Sequence, residues 1–135
     1  MADPVAFTEA VHELAPFIAE LGITATVVEP DRVEATAEWK PERCTAGNTL
    51  HGGFLMAFAD SVGAMCATLH LPDGATTSTI ESKTNFFRAC TGGTITAVST
   101  PVHVGRRTIV VQTDISRDDG KLVSRTTQTQ TVLND

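Results

Sequence analysis

The stretch NTLHGGFLMAFADSVGAM, residues 48–65, places a histidine and two glycines ahead of a run of Phe, Leu, Met, Val, Ala and Gly that carries one carboxylate, Asp60. A helix advances about 100° per residue. Leu55, Phe58, Val62, Met65 and Leu69 therefore fall in one narrow stripe, spaced 3, 4, 3 and 4, and such a stripe belongs against a sheet. The opposite side holds Gly53, Ala57, Asp60, Ala64 and Ala67, all small except the aspartate. A solvent-facing helix would carry Lys, Glu and Gln there, so this face too is expected to be covered. With 135 residues there is little chain left for a second layer, and the natural cover is another copy of the protein. A homodimer with Asp60 at or near its interface follows.

The rest of the chain organises around that helix, expected over residues 53–69. Phe7, Val11, Leu14, Phe17 and Ile18 have helical spacing and predict one amphipathic N-terminal helix closed by Gly22. Residues 23–29 and 32–39 are rich in β-branched side chains around Glu29-Pro30-Asp31, a hairpin signature. Residues 41–50 read as irregular loop, and Pro72-Asp73-Gly74 ends the long helix. Strands are expected over 76–87, 94–104, 107–116 and 122–133, joined by Val104-Gly105-Arg106 and by Asp118-Asp119-Gly120. The many threonines of the last strand hide which of its faces is inward. The expected class is α+β, a single domain over residues 1–135, with a long helix lying across an antiparallel sheet.

Charge and composition narrow the function classes. The net charge is −6, and the ten Lys and Arg are scattered, which argues against a nucleic-acid footprint. Cys44, Cys66 and Cys90 lie 22 and 24 residues apart, suiting neither a metal site nor a complete disulfide framework. His12, His51, His70 and His103 are dispersed, so no metal is expected. No run approaches the roughly 20 apolar residues of a membrane span, and the N-terminus lacks the basic region of a secretory signal. The expected compartment is the cytoplasm.

His51-Gly52-Gly53 sits where unpaired N–H groups and the positive end of a helix dipole gather. Glycine lets a ligand carbonyl approach the backbone, and an N–H aimed at a developing oxyanion is a strong catalytic device. Gly52 and Asp60 are eight residues apart, about 12 Å along one helix. A carboxylate cannot serve a water attacking a carbonyl held that far away. If both act on one substrate, they come from two subunits whose helices run antiparallel about a twofold axis.

These residues resemble a known family. HGGFLMAFAD, SKTNFFRA at residues 82–89, VHVGRRTIVV at 102–111 and the DGKLVSRTTQT segment, in that order, look like the hotdog-fold acyl-CoA thioesterases of the phenylacetate-degradation type. The resemblance implies a long helix wrapped by an antiparallel sheet of about five to six strands, a homodimer, and commonly a dimer of dimers. It implies that Gly52 donates its N–H to the thioester carbonyl and that Asp60 of the neighbouring subunit acts as nucleophile or as the base activating water. It places a water-holding hydroxyl at Thr79, with Ser78 as the nearby alternative. Where the family often has a carbonyl-binding Asn, six residues before the histidine, this chain has Thr45; Asn48 stands where the family usually has Gly. Either Thr45 or Asn48 takes that contact, or the carbonyl is held less tightly.

Gly53, Asn85 and Phe86 complete the expected substrate-binding set together with Arg88, Arg106 and Arg107, whose guanidinium groups suit the phosphates of coenzyme A. Phe54, Met56, Phe86 and Phe87 are candidates for an aryl-acetyl, aromatic or medium-chain acyl pocket. Coenzyme A enters as part of the substrate and no separate cofactor is implied. Two further functions fit less of the pattern: a hydratase or dehydratase of acyl thioesters using His51 and Asp60, and a non-catalytic acyl-CoA binder.

Overall fold

The computed structural model describes residues 2–134. It begins with two short helices rather than the single one expected, α1 over Pro4–Leu14 and α2 over Pro16–Glu20. The break is Pro16. A proline inside a helix lacks the N–H for the ladder and pushes the preceding residue out of helical geometry, and Ala15 sits at φ −131, ψ 83. Both helices take proline in their first turn, where no N–H is needed. Phe7, Val11 and Ile18 pack on the core, but Leu14 and Phe17, on either side of the break, face solvent.

After Gly22, which closes α2 at φ 69, come β1 (Thr24–Glu29) and β2 (Arg32–Glu38). Pro30 and Asp31 turn the chain so that Glu29 pairs with Arg32. Two single 3₁₀ turns, Pro41–Arg43 and Ala46–Asn48, lead into α3 (Gly52–Thr68). β3 (Thr76–Phe86), β4 (Thr94–Val104), β5 (Thr108–Ser116) and β6 (Leu122–Leu133) follow close to the expected bounds. The six strands form one antiparallel sheet in the order β1-β2-β4-β5-β6-β3. β1 and β3 are its edges.

α3 lies on one face of this sheet. Leu55, Phe58, Val62 and Met65 are buried as the stripe requires, against Val33, Ala35, Ala37, Ile95, Ala97, Ile109, Val111 and Ile115. Of the residues expected on the outer side of the helix, Gly53 is exposed and Ala57, Asp60 and Ala64 are half-buried, and Asp60 departs from expectation by meeting the sheet through Thr79 of β3 and Gln128 of β6. Ala67 departs from expectation, being fully buried in the core of this one chain. No helix among the described residues is long and apolar enough to cross a membrane. The three cysteines are free thiols; burial pushes Cys66 and Cys90 up from the ordinary range, and Cys44 is half-buried.

Under the helix, the β3 and β6 end of the sheet is polar. Ser124, Thr126, Gln128 and Gln130 of β6 are all buried. A bulge at Ile80 shifts β3 so that Thr79 faces Gln130 and Ser82 faces Gln128, putting further hydroxyls on the same side.

The β5–β6 turn shows how strongly local hydrogen bonding holds this end of the sheet. The Asp119 carboxylate accepts from Arg117 Nε and Nη2 at 3.2 and 2.7 Å and from the Lys121 N–H at 3.1 Å, and Gly120 completes the turn at φ 79. Those donors, Arg117 first, lower the Asp119 carboxyl to about 2. Because the folded value is depressed, the turn's contribution is present above the ordinary carboxylate range and fades as pH falls toward 2. An NMR titration of the Asp119 side chain should give a midpoint near 2; a midpoint in the ordinary range near 4 would show that the turn is not closed this way.

Candidate active site

His51 is the N-cap of α3, with extended backbone at φ −64, ψ 137. Its Nδ1 accepts the Gly53 N–H at 2.7 Å, so a neutral ring carries its proton on Nε2. The cap is also why residue 53 is glycine, since a Cβ there would press on the imidazole at 2.9 Å. His51 thus has a structural task at the place where a catalytic one was expected. Gly52, the first helical residue, keeps its N–H without an acceptor among the described residues. The helix dipole adds its positive end at this N–H. Phe86 stands beside it, within 3.3 Å of where a Cβ of residue 52 would be.

Asp60 lies two turns further along α3, half-buried. Its Oδ1 accepts from Thr79 Oγ1 at 2.7 Å and from Gln128 Nε2 at 3.0 Å. Its Oδ2 has no partner among the described residues. One oxygen is held and the other is presented. Thr79 is the hydroxyl that reaches the carboxylate. Ser78 alternates to the far side of β3, where it is exposed and its carbonyl accepts from Thr131.

Other expected residues are distributed less compactly. Phe86 joins Thr49, Leu50, Gly52, Leu55, Phe87 and Arg88 around a cleft of about 370 Å³. Arg88 is anchored there by donating to the Leu122 carbonyl at 2.9 Å. Arg106 and Arg107, at the β4–β5 turn, are not in that cleft: Arg106 lines a hollow with His70, Leu71 and Pro72, beyond the C-terminal end of α3. The three arginines therefore do not form one cluster within a single chain. Asn85 points away from the helix, between inward Thr84 and Phe86, and its Oδ1 accepts from Lys83.

The loop before α3 explains one departure from the family pattern. Asn48 has φ 58, the only positive φ at a non-glycine among the described residues. Asn tolerates the left-handed region better than other non-glycine residues, which suits it to a position where the resemblance leads one to expect glycine. Its carbonyl accepts from Trp39 Nε1 at 3.0 Å. Thr45 is exposed on the same loop, its N–H bonded to the Thr49 carbonyl.

Sequence patterning missed the second layer of the site. Gln128 and Gln130 are 1% exposed and bonded to each other, and Gln130 also meets Thr79 and Thr77. The available signal was the spacing of two glutamines two apart in a strand, which puts both on one face. Arg43 was also missed: it lies over the Phe54 ring at 5.0 Å and lines, with Phe17, Leu21, Cys44, Phe54 and Ala57, a hollow of about 650 Å³ beside Gly53. No group of three His, Cys, Asp or Glu side chains able to hold a metal occurs among the described residues.

A family model described as Thioesterase superfamily matches residues 47–124, which span this site. A Haemophilus influenzae protein that carries an esterase name is 31% identical over 117 residues, covering 87% of this chain and 85% of that protein. Among solved structures, a thioesterase from Haemophilus influenzae is 29% identical at a TM-score of 0.87, covering 94% of this chain and 90% of that one. A phenylacetic acid degradation-related protein from Ralstonia eutropha JMP134 is 27% identical at a TM-score of 0.84, covering 93% and 98%. The six-stranded sheet and its long helix are the hotdog fold.

The backbone role of Asn48 can be separated from substrate contact. Asn48→Gly should leave thermal stability and turnover near wild type, whereas Asn48→Val should cost about 1–2 kcal/mol in an unfolding experiment. Loss of turnover in a stable Asn48→Gly protein would show that the side chain, not the φ angle, is what matters.

Proposed function

Because the chain belongs to the thioesterase superfamily, we propose that it hydrolyses acyl-CoA thioesters at sites shared between two subunits. The observation that carries this is the Asp60 carboxylate, held at Oδ1 and open at Oδ2, with the free Gly52 N–H on the same helix. The two are about 12 Å apart within one chain. Antiparallel pairing of α3 with its copy would bring Gly52 of one subunit to Asp60 of the other.

In the simplest course, the thioester carbonyl accepts the Gly52 N–H at the positive end of the helix. Oδ2 of Asp60 takes a proton from water as the hydroxide attacks the carbonyl carbon. The resulting oxyanion is stabilised by the Gly52 N–H, and its collapse expels the coenzyme A thiolate, which receives the proton back from Asp60. Alternatively, Oδ2 itself attacks and expels the coenzyme A thiolate, and water then cleaves the mixed anhydride, restoring the Asp60 carboxylate and leaving the acid and a proton for the thiolate. Both courses use the same oxygen, and Thr79 supports both by bonding Oδ1.

Leu50, Leu55, Phe86 and Phe87 around the Gly52 cleft suit an aryl-acetyl, aromatic or medium-chain acyl group. The likeness to a phenylacetic acid degradation-related protein supports the first of these. Arg88 stands at that cleft, and a twofold axis would bring the opposite end of the partner's α3, with Arg106 and Arg107, toward it. Phosphates of coenzyme A would then lie among the three guanidinium groups. The exposed edge of β3 would join its copy, and pairs of dimers would form a tetramer.

Two substitutions isolate the two halves of the site. Asp60→Asn removes the base or nucleophile while keeping its shape. Gly52→Pro deletes the Gly52 N–H at a first helical position that suits proline's backbone, after a residue already extended as proline requires, with the Phe86 ring giving by a few tenths of an ångström to admit the new Cβ. Thiol release from phenylacetyl-CoA, benzoyl-CoA and straight-chain acyl-CoAs should fall about 10²- to 10³-fold in Gly52→Pro and to background in Asp60→Asn, with both proteins folded and oligomeric. Undiminished turnover in Asp60→Asn would rule this mechanism out.

A further inference from the structure

Where β6 passes beneath α3, a second amide is built into the site. Gln128 Nε2 bonds Asp60 Oδ1 at 3.0 Å and Gln130 Oε1 at 2.9 Å, while Gln128 Oε1 is buried without a partner. That carbonyl lies against Gly63, three residues after Asp60 on the same side of the helix, where any Cβ would collide with it. A glycine in the middle of a helix is unfavourable, and here it opens the notch that admits the glutamine. The amide can face only one way, because its oxygen toward the carboxylate would be repulsive. Gln130 in turn donates Nε2 to Thr77 Oγ1 at 3.1 Å, and Thr77 donates to the Thr131 carbonyl at 2.6 Å. The chain of bonds therefore ends on the backbone of β6.

Gln128 acts on Asp60 twice. Directly, it is one of the two donors on Oδ1. Indirectly, it occupies Gln130 Oε1, which otherwise competes for the single hydrogen of Thr79, since Thr79 Oγ1 faces both Asp60 Oδ1 and Gln130 Oε1. With Gln128 absent, Oδ1 would lose its amide donor and Thr79 would be drawn toward Gln130. The carboxylate torsion is soft without such donors.

We propose that Gln128, seated in the notch at Gly63 and braced by Gln130 and Thr77, is a positioning residue that fixes Asp60 so that Oδ2 is the reacting oxygen. This rests on Asp60 being the reacting carboxylate. The test compares wild type, Asp60→Asn, Gln128→Leu, Gly63→Ala and Gly63→Ala/Gln128→Ala as full-length oligomers with phenylacetyl-CoA, together with crystal structures of wild type and the Gln128 and Gly63 single variants.

Gln128→Leu, nearly the same size, should lower kcat by about 10- to 100-fold with KM within about twofold of wild type. Gly63→Ala should give a similar kcat loss with Gln128 still present, and the double variant should regain thermal stability without regaining kcat, a non-additive pattern that a purely structural role would not produce. In the crystal structures, the Asp60 carboxylate should turn away from its wild-type plane. Wild-type kcat in Gln128→Leu or in Gly63→Ala while Asp60→Asn is inactive would overturn the proposal, as would an unmoved carboxylate in either structure. Full activity in Asp60→Asn would instead remove Asp60 as the reacting group, and the carboxylate's position in the variant structures would still decide whether Gln128 holds it.

Discussion

A carboxylate on an apolar helix has to be given hydrogen-bond donors, because a half-buried charge without them is costly. At Asp60 this requirement reaches well beyond the residue itself. Thr79 must face the helix, which the bulge at Ile80 reconciles with Ser82 facing it as well. Gln128 must reach Oδ1, which demands Gly63 on α3. Gln130 and Thr77 must satisfy what Gln128 leaves over. The polar stripe between β3 and β6 is thus the consequence of one aspartate, and it occupies area that the other end of the same sheet fills with Val33, Ala35, Ile95 and Ala97.

The N-terminal end of α3 meets the complementary requirement, for a donor left unpaired rather than an acceptor paired. His51 caps Gly53 and leaves the Gly52 N–H without an acceptor among the described residues, at the positive end of the helix. The straight helix that buries Phe58 and Val62 so well is also what holds the two groups roughly two turns apart. Stability of the single chain and completeness of the site pull in different directions. A second copy, running the other way as proposed, would resolve them, and it would also cover the small residues Ala57 and Ala64 that flank Asp60.

Much of this was legible in the residues. The stripe from Leu55 to Met65 named the buried face of α3, and Pro30-Asp31 and Asp118-Asp119-Gly120 named two turns, because periodicity and turn chemistry are local signals. The split of the first helix followed from Pro16, a local rule that the apolar spacing of Phe7 to Ile18 obscured. The inward face of β6 was illegible for a different reason: Ser124, Thr126, Gln128 and Gln130 inside are about as polar as Arg125, Thr127 and Thr129 outside, and alternation carries information only where the two faces differ. The resemblance to the hotdog thioesterases singled out Asp60, Gly52 and Thr79 as expected site residues, which lie on α3 and β3, but it was silent on Gln128. The separation of Arg88 from Arg106 and Arg107 depends on which end of α3 each turn approaches, a property of the whole topology.

Subunit sharing of the site is tested most directly by complementation. Gly52→Pro and Asp60→Asn chains are each purified, then unfolded and refolded together in equal amounts. If Gly52 and Asp60 act across a twofold interface, half of the dimers are mixed and each holds one intact site, so about a quarter of wild-type turnover should return from two inactive parents. If the two groups served one site within a single chain, every chain in the mixture would carry a defect, and turnover no higher than that of the separate variants would contradict the account.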